Sequence, residues 1–392
     1  MTSSRPLVAP RVSALPFSGI RRFFDLVANR RDIISLGVGE PDFATPWTVR
    51  EAAVFSLEKG ATHYTSNRGE PALRRAIAGY VARNFFGTYD PEREIVVTVG
   101  VSEAIDIALR TILSPGDEVL YHEPCFVSYA PSIVLAGGVP VAVETRAEDD
   151  FRLTRAMLER AVTEKTRAVL LNFPCNPTGA ILDARDVAEI ASFVRERDLI
   201  LISDEIYAEL TYGRSHVSFA SHPEIHDRLV FLHGMSKAWA MTGFRIGYAC
   251  APEEISRNMN KIHQYAIMSA PTTGQRAAKD ALENGGGEVA KMKAEYNRRR
   301  NFVAASFEEM GLPCRKPAGA FYAFPCVKGF GLSSEEFAMR LLEEEGVAAI
   351  PGSAFGPCGE GFLRCSYATA MPQIKEAMAR MARFVSRLRQ KA

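Results

Sequence analysis

The chain of 392 residues carries 47 lysines and arginines against 46 acidic residues, a formal net charge of +1, and 47% of it is hydrophobic. This composition is typical of a globular protein, and it argues against the one-sided basic surface that nucleic acid or a membrane surface would require. Residues 1–21 do not resemble a signal peptide, and no stretch approaches the roughly 20 apolar residues of a membrane span. The seven cysteines include no CxxC pair. We therefore expect reduced thiols, a cytoplasmic protein and no metal site.

The N-terminal part of the chain predicts one short strand followed by helices. Residues 33–38 are apolar and run into the glycine- and proline-rich turn of residues 37–43. Two glycines there could suggest a dinucleotide-binding loop, but the third glycine is missing and Pro41 prevents a helix. Helical periodicity then covers residues 47–59 and 71–85.

From residue 95 onward, apolar strand segments alternate with amphipathic helices. The predicted strands are residues 95–99, 118–121, 139–144, 167–172, 199–203, 229–233 and 245–250. Helices such as residues 102–113 and 184–195 separate several of them. Such alternation predicts an α/β fold with a mainly parallel sheet covered by helices on both faces.

Beyond about residue 253 the pattern changes to long helices and a second, smaller region. The predicted helices are residues 253–265, 274–283, 287–310, 333–344 and 371–389, and the predicted strands are residues 320–325, 347–350 and 361–367. We therefore divide the chain into an N-terminal segment (1–45) that packs on the small domain, a large domain (46–287) and a small C-terminal domain (288–392).

Polar features follow several predicted strands, at the ends where open α/β sheets bind their ligands. Residues 100–104 open a helix directly after a strand, and free N–H groups at such a position suit a phosphate group. A plain helix cap at Ser102 explains the same pattern equally well. Asn176 lies in a loop stiffened by two prolines, which would present its amide to a ligand, although an ordinary turn is the alternative.

Two further features carry charge. Asp204 follows the strand of residues 199–203, and a buried acid there needs a cationic partner to stay ionised, unless it only caps a helix. Lys237 and, eight positions later, Arg245 lie in an otherwise apolar stretch. Poor solvation favours the neutral amine that imine chemistry requires, whereas a solvated loop lysine is the simpler alternative. An amine, an acid for a pyridinium nitrogen and a phosphate cradle together describe a site for pyridoxal phosphate.

These motifs resemble the class I aminotransferases of fold type I, over about residues 20–383. The resemblance is closest to the aromatic-amino-acid aminotransferase branch. It is carried by ISLGVGEPDF at residues 34–43, FVSYAP at 126–131, PCNPTGA at 174–180 and PGSAFG at 351–356. It implies a large domain with a mostly parallel seven-stranded sheet, and a smaller α+β domain built from both termini.

The resemblance also implies roles for single residues toward pyridoxal 5′-phosphate. Lys237 would bind the cofactor through an imine and later move the substrate proton, while Asp204 would pair with the pyridine N–H. Asn176 and Tyr207 would bind the 3′ oxygen of the ring, and Phe126 would stack on its face. The phosphate would be held by Gly100, Val101, Ser102, Ser236 and Arg245, and by Tyr64 of the partner subunit in a homodimer.

Substrate contacts follow from the same resemblance. Arg364 would bind the α-carboxylate, with Gly39 and Asn176 assisting, and an arginine in an apolar strand is otherwise costly to bury. Residues 263–272 contain no arginine for a distal carboxylate, and Tyr265 there favours aromatic or large apolar donors. Arg68 is a candidate for that distal carboxylate, against the simpler interpretation of a solvated loop arginine.

We therefore predict an aminotransferase that moves an amino group from an L-amino acid, aromatic or broad in range, to a 2-oxo acid such as 2-oxoglutarate. The order would be ping-pong, through pyridoxamine phosphate. The alternatives are an aspartate-, alanine- or kynurenine-preferring aminotransferase and a fold-type-I lyase or synthase, because all would use the same cofactor-binding residues. A transcription regulator would need a basic helix-turn-helix extension, which the sequence does not predict.

Overall fold

The computed structural model describes residues 7–17, 19 and 33–391, so the predicted N-terminal segment lies partly outside the described residues. The helices are α1 (Pro10–Ser13), α2 (Trp47–Glu58), α3 (Pro71–Phe85), α4 (Gly100–Ile112), α5 (Tyr129–Leu135), α6 (Arg155–Ala161), α7 (Ala184–Glu196), α8 (Glu253–Ala266), α9 (Thr272–Asn284), α10 (Gly286–Glu309), α11 (Ser334–Glu345) and α12 (Met371–Lys391). None of these described helices combines the length and the apolar character needed to cross a bilayer.

The strands form one large sheet and two small ones. Their bounds are β1 (Ile34–Ser35), β2 (Ile95–Thr98), β3 (Glu118–Glu123), β4 (Val139–Glu144), β5 (Thr166–Asn172), β6 (Ile200–Asp204), β7 (Leu229–Gly234), β8 (Gly247–Cys250), β9 (Tyr322–Ala323), β10 (Val347–Ala348), β11 (Ile350–Pro351) and β12 (Leu363–Ser366). The predicted helices and strands are therefore present, with limits that differ by a few residues.

The large sheet has seven strands in the order β2-β8-β7-β6-β5-β3-β4. All neighbouring pairs from β7 to β4 are parallel. Successive residues of β5 enter different hydrophobic clusters, Val169 and Leu171 in one and Ala168 and Leu170 in the other. Because successive side chains of a strand point to opposite faces, both faces of the sheet are covered. The prediction of an α/β fold with a mostly parallel seven-stranded sheet is confirmed.

Strand β8 differs from its prediction. It begins at Gly247 rather than at residue 245, and it runs antiparallel to both β2 and β7. Arg245 precedes it with φ of 55°, directly after a single 3₁₀ turn. The connection from β7 contains no crossover helix of the kind that parallel pairing needs, so the chain returns beside β7 in the opposite direction.

The small sheets involve the two ends of the described chain. β1 pairs in parallel with β10, and β11, β12 and β9 form an antiparallel sheet. The strand predicted at residues 320–325 is reduced to β9, since Ala320 has φ of 56° and leaves the extended conformation. The strand predicted at residues 347–350 is divided into β10 and β11, which pair with different partners. The domain limits at residues 45 and 287 stay a prediction.

Candidate active site

The carboxyl ends of the central strands surround a cavity of about 330 Å³. Most of the predicted site residues line this one cavity. They are Gly39, Val101, Ser102, Phe126, Asn176, Asp204, Tyr207, Ser236, Lys237, Arg245 and Arg364. The structure thus brings together residues that lie as far apart in the sequence as Gly39 and Arg364.

Lys237 lies in the connection between β7 and β8. Its Nζ donates a hydrogen bond to the carbonyl oxygen of Gly39 at 2.7 Å and lies 5.9 Å from the ring centre of Tyr207. Burial, together with the charge of Arg364, lowers the pKa of Lys237 to about 8 from 10.5. A lysine with this pKa presents a neutral, nucleophilic amine at a pH where a solvated lysine is charged.

Asp204 is buried at the end of β6, where two donors hold its carboxylate. Oδ2 accepts the hydroxyl hydrogen of Tyr129 at 2.8 Å, and Oδ1 accepts the N–H of Ile206 at 3.1 Å. Burial raises the pKa of Asp204 to about 6, against the opposing effect of these hydrogen bonds. No lysine, arginine or histidine of the described chain forms an ion pair with it. Its carboxylate is therefore available to pair with a cationic group of a ligand in the cavity.

Arg364 is buried in β12, between the rings of Tyr322 and Phe355, whose centres lie 4.7 and 4.9 Å from its guanidinium carbon. Nη1 donates to Oδ1 of Asn176 at 3.0 Å, and Nη2 donates to the carbonyl of Gly37 at 2.5 Å. Nε has no hydrogen-bond partner among the described residues, and no described carboxylate pairs with this guanidinium. The buried fork therefore retains donors for an incoming carboxylate.

A cradle for an anion lies where β2 meets α4. Gly100 has φ of 73°, and a Cβ placed on it would lie 2.6 Å from Nη2 of Arg245. A Cβ on Gly247 would lie 2.5 Å from the backbone nitrogen of Val101. The two glycines thus allow a guanidinium and a strand to approach the start of the helix, where N–H groups are free to bind a phosphate.

Sequence reasoning missed two tyrosines at this site. Tyr129 was noted only as part of the motif at residues 126–131, and it donates the hydrogen bond that orients Asp204. Tyr322 lies with its hydroxyl oxygen 2.8 Å from that of Tyr207, under Arg364. The sequence did carry one signal for them, since each tyrosine lies in an apolar stretch. A tyrosine hydroxyl that is buried in such a stretch usually has a polar partner, and here that partner belongs to the site.

Tyr64 and Tyr265 lie away from the cavity of their own chain. Their exposed fractions are 81% and 88%. The two stretches that carry them are joined, since the Asn67 side chain donates to the carbonyl of Met268 at 2.7 Å. Both tyrosines therefore belong to one outward-facing surface.

Arg68 also has its partners outside the cavity. Its Nη1 donates to the carbonyl of Arg93 at 3.0 Å and to Oγ of Ser256 at 2.8 Å, which directs the side chain to the first turn of α8. Burial lowers the pKa of Arg68, with a further contribution from Arg74. The predicted contact between Arg68 and a distal carboxylate stays a prediction.

The residues around the cavity fit pyridoxal phosphate. The glycine-lined helix start suits its phosphate group, and the unmatched acid of Asp204 suits a cationic ring nitrogen. Phe126 provides an aromatic face in the lining, and Lys237 provides the amine. Each part of the cofactor that carries charge or reactivity thus has a counterpart of the matching chemistry.

Comparisons with known proteins agree with this chemistry. The family model for aminotransferase class I and II matches residues 31–381. A Bacillus subtilis protein named an aminotransferase without a stated substrate is 53% identical over 94% of this chain and 95% of its own length. An aromatic-amino-acid aminotransferase of Thermococcus litoralis is 45% identical, covering 95% of this chain and 97% of the relative. The solved structure of Thermus thermophilus aspartate aminotransferase with maleate superimposes with a TM-score of 0.92 at 36% identity, covering 97% and 100% of the two chains.

The pKa of Lys237 predicts a pH dependence for cofactor uptake. We expect the rate at which cofactor-free protein takes up pyridoxal phosphate to rise with pH and to level off above about pH 8, because only the neutral amine is nucleophilic. Stopped-flow absorbance between about pH 6 and pH 10 measures this rate. Lys237→Ala reports the background from other lysines, and a rate that still increases steeply near pH 10 would contradict the prediction.

The cradle predicts that Gly247→Ala weakens cofactor binding. The added Cβ would lie 2.5 Å from the backbone of Gly100 and Val101, so the start of α4 must shift. We expect the Kd for pyridoxal phosphate to rise about tenfold or more, equivalent to about 1.4 kcal/mol. Fluorescence titration measures the Kd, and Gly243→Ala is the control because a Cβ there meets nothing within 4 Å. Equal Kd values for Gly247→Ala and Gly243→Ala would contradict the prediction that the start of α4 binds the phosphate group.

Proposed function

The chain belongs to the class I and II aminotransferases, a family that uses pyridoxal 5′-phosphate, and within that family we propose an enzyme selective for aromatic and large apolar L-amino acids. The amino acceptor is a 2-oxo acid such as 2-oxoglutarate, and the two half-reactions follow each other in ping-pong order. The observation that carries the proposal is the buried guanidinium of Arg364, which faces the same cavity as Lys237 and Asp204.

Arg364 is proposed to bind the α-carboxylate that the donor and the acceptor have in common. It is held between two rings and by two hydrogen bonds, so little conformational freedom is lost when a carboxylate binds. Its planar fork can pair with both carboxylate oxygens, which fixes the substrate in orientation as well as position. Gly39, which also lines the cavity, would border the same carboxylate.

The remaining side chains are proposed to divide the chemistry between them. When bound, pyridoxal phosphate supplies an electron sink for the negative charge that develops at the substrate Cα. Asp204, oriented by Tyr129, would accept the ring N–H, and Asn176 and Tyr207 would bind the 3′ oxygen. Lys237 would act as general base and then general acid, taking the proton from the substrate Cα and delivering it to C4′ of the cofactor, a task for which a pKa of about 8 is suited.

The preference for aromatic donors is proposed from the cavity lining. The cations that line the cavity within the described chain are Lys237, Arg245 and Arg364, and each already has a proposed task. A distal carboxylate would therefore meet no unassigned cation of the same chain. Ile105 and Ile206 add apolar surface, which favours an aromatic or large apolar side chain.

A panel of amino donors tests the substrate preference. With 2-oxoglutarate as acceptor, we expect kcat/KM for phenylalanine and tyrosine to exceed that for aspartate at least tenfold, because an unpaired carboxylate would have to be desolvated. Alanine, methionine, kynurenine and branched-chain donors complete the panel. A higher kcat/KM for aspartate would overturn the aromatic preference.

The same assay separates an aminotransferase from a lyase or synthase. An aminotransferase releases one 2-oxo acid for each acceptor consumed and no free ammonia. Ammonia or pyruvate formed from a single amino acid without an acceptor would instead identify elimination chemistry.

We further propose a homodimer in which Tyr64 completes the phosphate site of the partner subunit. Apolar side chains are exposed on the surface that carries Tyr64 and Tyr265, including Ile267 and Met268 at 44% and 45%. Exposed apolar groups clustered beside a polar loop are typical of an interaction surface. A second copy of the chain would cover this surface and bring Tyr64 to a second cavity.

Mixing two impaired variants tests this shared site. Lys237→Ala lacks the amine, and Tyr64→Ala lacks the hydroxyl that is proposed to act across the interface. We expect mixed dimers to regain activity, because one of their two cavities then combines an intact Lys237 with an intact Tyr64. Sedimentation measures the assembly state, and no recovery in verified mixed dimers would place Tyr64 outside the partner's site.

A further inference from the structure

Residues 37–43, called the strap below, touch both Arg364 and Lys237, the two side chains that are proposed to act on the substrate. The carbonyl of Gly37 accepts a hydrogen bond from Nη2 of Arg364 at 2.5 Å, and the carbonyl of Gly39 accepts one from Nζ of Lys237 at 2.7 Å. Hydrogen bonds to charged donors are stronger than neutral ones and set the direction of the donor. The position of the strap therefore determines how these two side chains point.

The strap lies close to the side chains beneath it. A Cβ on Gly39 would lie 2.8 Å from the hydroxyl of Tyr322 and 3.7 Å from Nη1 of Arg364. Tyr322 is also the ring on which the guanidinium of Arg364 rests. Because there is so little free space, a displacement of the strap would be transmitted directly to Arg364.

The strap has no helix or strand of its own to hold it. It follows the two-residue strand β1, and besides the bonds from Arg364 and Lys237 it is held by the ring of Phe43, which packs edge-on against Tyr296, and by two of its own polar side chains. The Glu40 carboxylate accepts a hydrogen bond from the hydroxyl of Thr242, and Oδ1 of Asp42 pairs with Nη1 of Arg299 at 2.7 Å. The Asp42 pair is the charged tie, and it joins the strap to the long helix α10.

Arg299 is a well-supported anchor. It is buried on α10, and its guanidinium carbon lies 5.0 Å from the ring centre of Phe43 and 5.7 Å from that of Tyr296. Its Nε donates to Oε1 of Glu295, one helical turn earlier, at 2.9 Å. The arginine is thus held by Glu295 and Tyr296 of its own helix, and it contacts the strap through both Asp42 and Phe43.

We propose that the Asp42–Arg299 ion pair is a positioning device for the substrate carboxylate. It holds the strap on α10, and the strap in turn orients Arg364 through Gly37 and Lys237 through Gly39. Neither Asp42 nor Arg299 lines the cavity, so the pair acts through the strap. This inference rests on the proposed role of Arg364 in binding the α-carboxylate.

The chain offers a matched control on the same guanidinium. Asp42 and Glu295 each accept a hydrogen bond from Arg299, at 2.7 and 2.9 Å, and their side chains are 24% and 27% exposed. Asp42→Asn and Glu295→Gln each remove one carboxylate charge from Arg299. Only Asp42→Asn weakens the tie to the strap. Glu295→Gln leaves that tie in place, and it also weakens the contact between Glu295 and Arg298 on the surface.

Steady-state kinetics test the consequence for the substrate. We expect Asp42→Asn to raise KM for the amino donor and for 2-oxoglutarate alike, by about tenfold, with a smaller fall in kcat, because both substrates carry the same α-carboxylate. Glu295→Gln should stay within about twofold of the wild type, and Asp42→Glu, which keeps the charge, should recover most of the loss. Equal changes in Asp42→Asn and Glu295→Gln would show a merely structural ion pair and overturn the inference.

A second measurement does not depend on turnover. Hydrogen–deuterium exchange of the peptide covering residues 36–46, in cofactor-free protein, should be faster in Asp42→Asn and unchanged in Glu295→Gln. Calorimetry with 3-phenylpropionate, an unreactive carboxylate, should show weaker binding to the Asp42→Asn holoenzyme than to the wild type. Glu295→Gln should bind it about as tightly as the wild type. Unchanged exchange in Asp42→Asn, or faster exchange with unchanged KM and affinity, would overturn the inference. A wild-type protein that does not transaminate would instead overturn the proposed function.

Discussion

The carboxylate of Asp204 is buried at the end of a central strand and forms no ion pair with a lysine, arginine or histidine of the described chain. A buried charge without an ion-pair partner is costly, and so is the buried guanidinium of Arg364, which lines the same cavity. The fold holds both groups and Lys237 around this cavity by packing hydrophobic clusters against the two faces of one sheet. Groups of perturbed pKa gathered in one cavity are the usual mark of a functional site, because the cost of burying them is recovered when a complementary ligand binds.

Strand register places Asp204 where this arrangement requires it. Asn172 lies opposite Asp204 in the parallel pair of β5 and β6, and its side-chain nitrogen donates to the backbone carbonyl of Asp204 at 2.9 Å. Its side-chain oxygen accepts the N–H of Asn176 at 3.1 Å. One polar side chain thus links two neighbouring strand ends. A slip of one residue would turn the Asp204 side chain to the other face of the sheet. The packing that sets the register of β5 and β6 therefore also sets the position of Asp204 in the cavity.

The side of the cavity proposed to bind the substrate is built differently from the side proposed to bind the cofactor. The large sheet supplies Asp204 and, in the connection after β7, Lys237, whereas Arg364 comes from a small antiparallel sheet and Gly37 from the strap. The strap follows β1, which pairs with β10, and the ion pair joins it to α10, whereas β12 pairs with β11 and β9. The proposed carboxylate site therefore depends on contacts that lie outside the sheet that holds Asp204.

The sequence by itself determined the alternating strands and helices, the mostly parallel sheet, and the identity of Asn176, Asp204 and Lys237 as polar residues after buried strands. These features are local, because hydrophobic periodicity and turn residues act over a few positions. Only the tertiary structure decided that Tyr129 orients Asp204, that Arg68 turns to α8 and that β8 runs antiparallel. It also decided that Gly37 meets Arg364 across 327 positions of sequence, because contacts at such separation are set by packing between elements rather than by the preference of any residue for its neighbours.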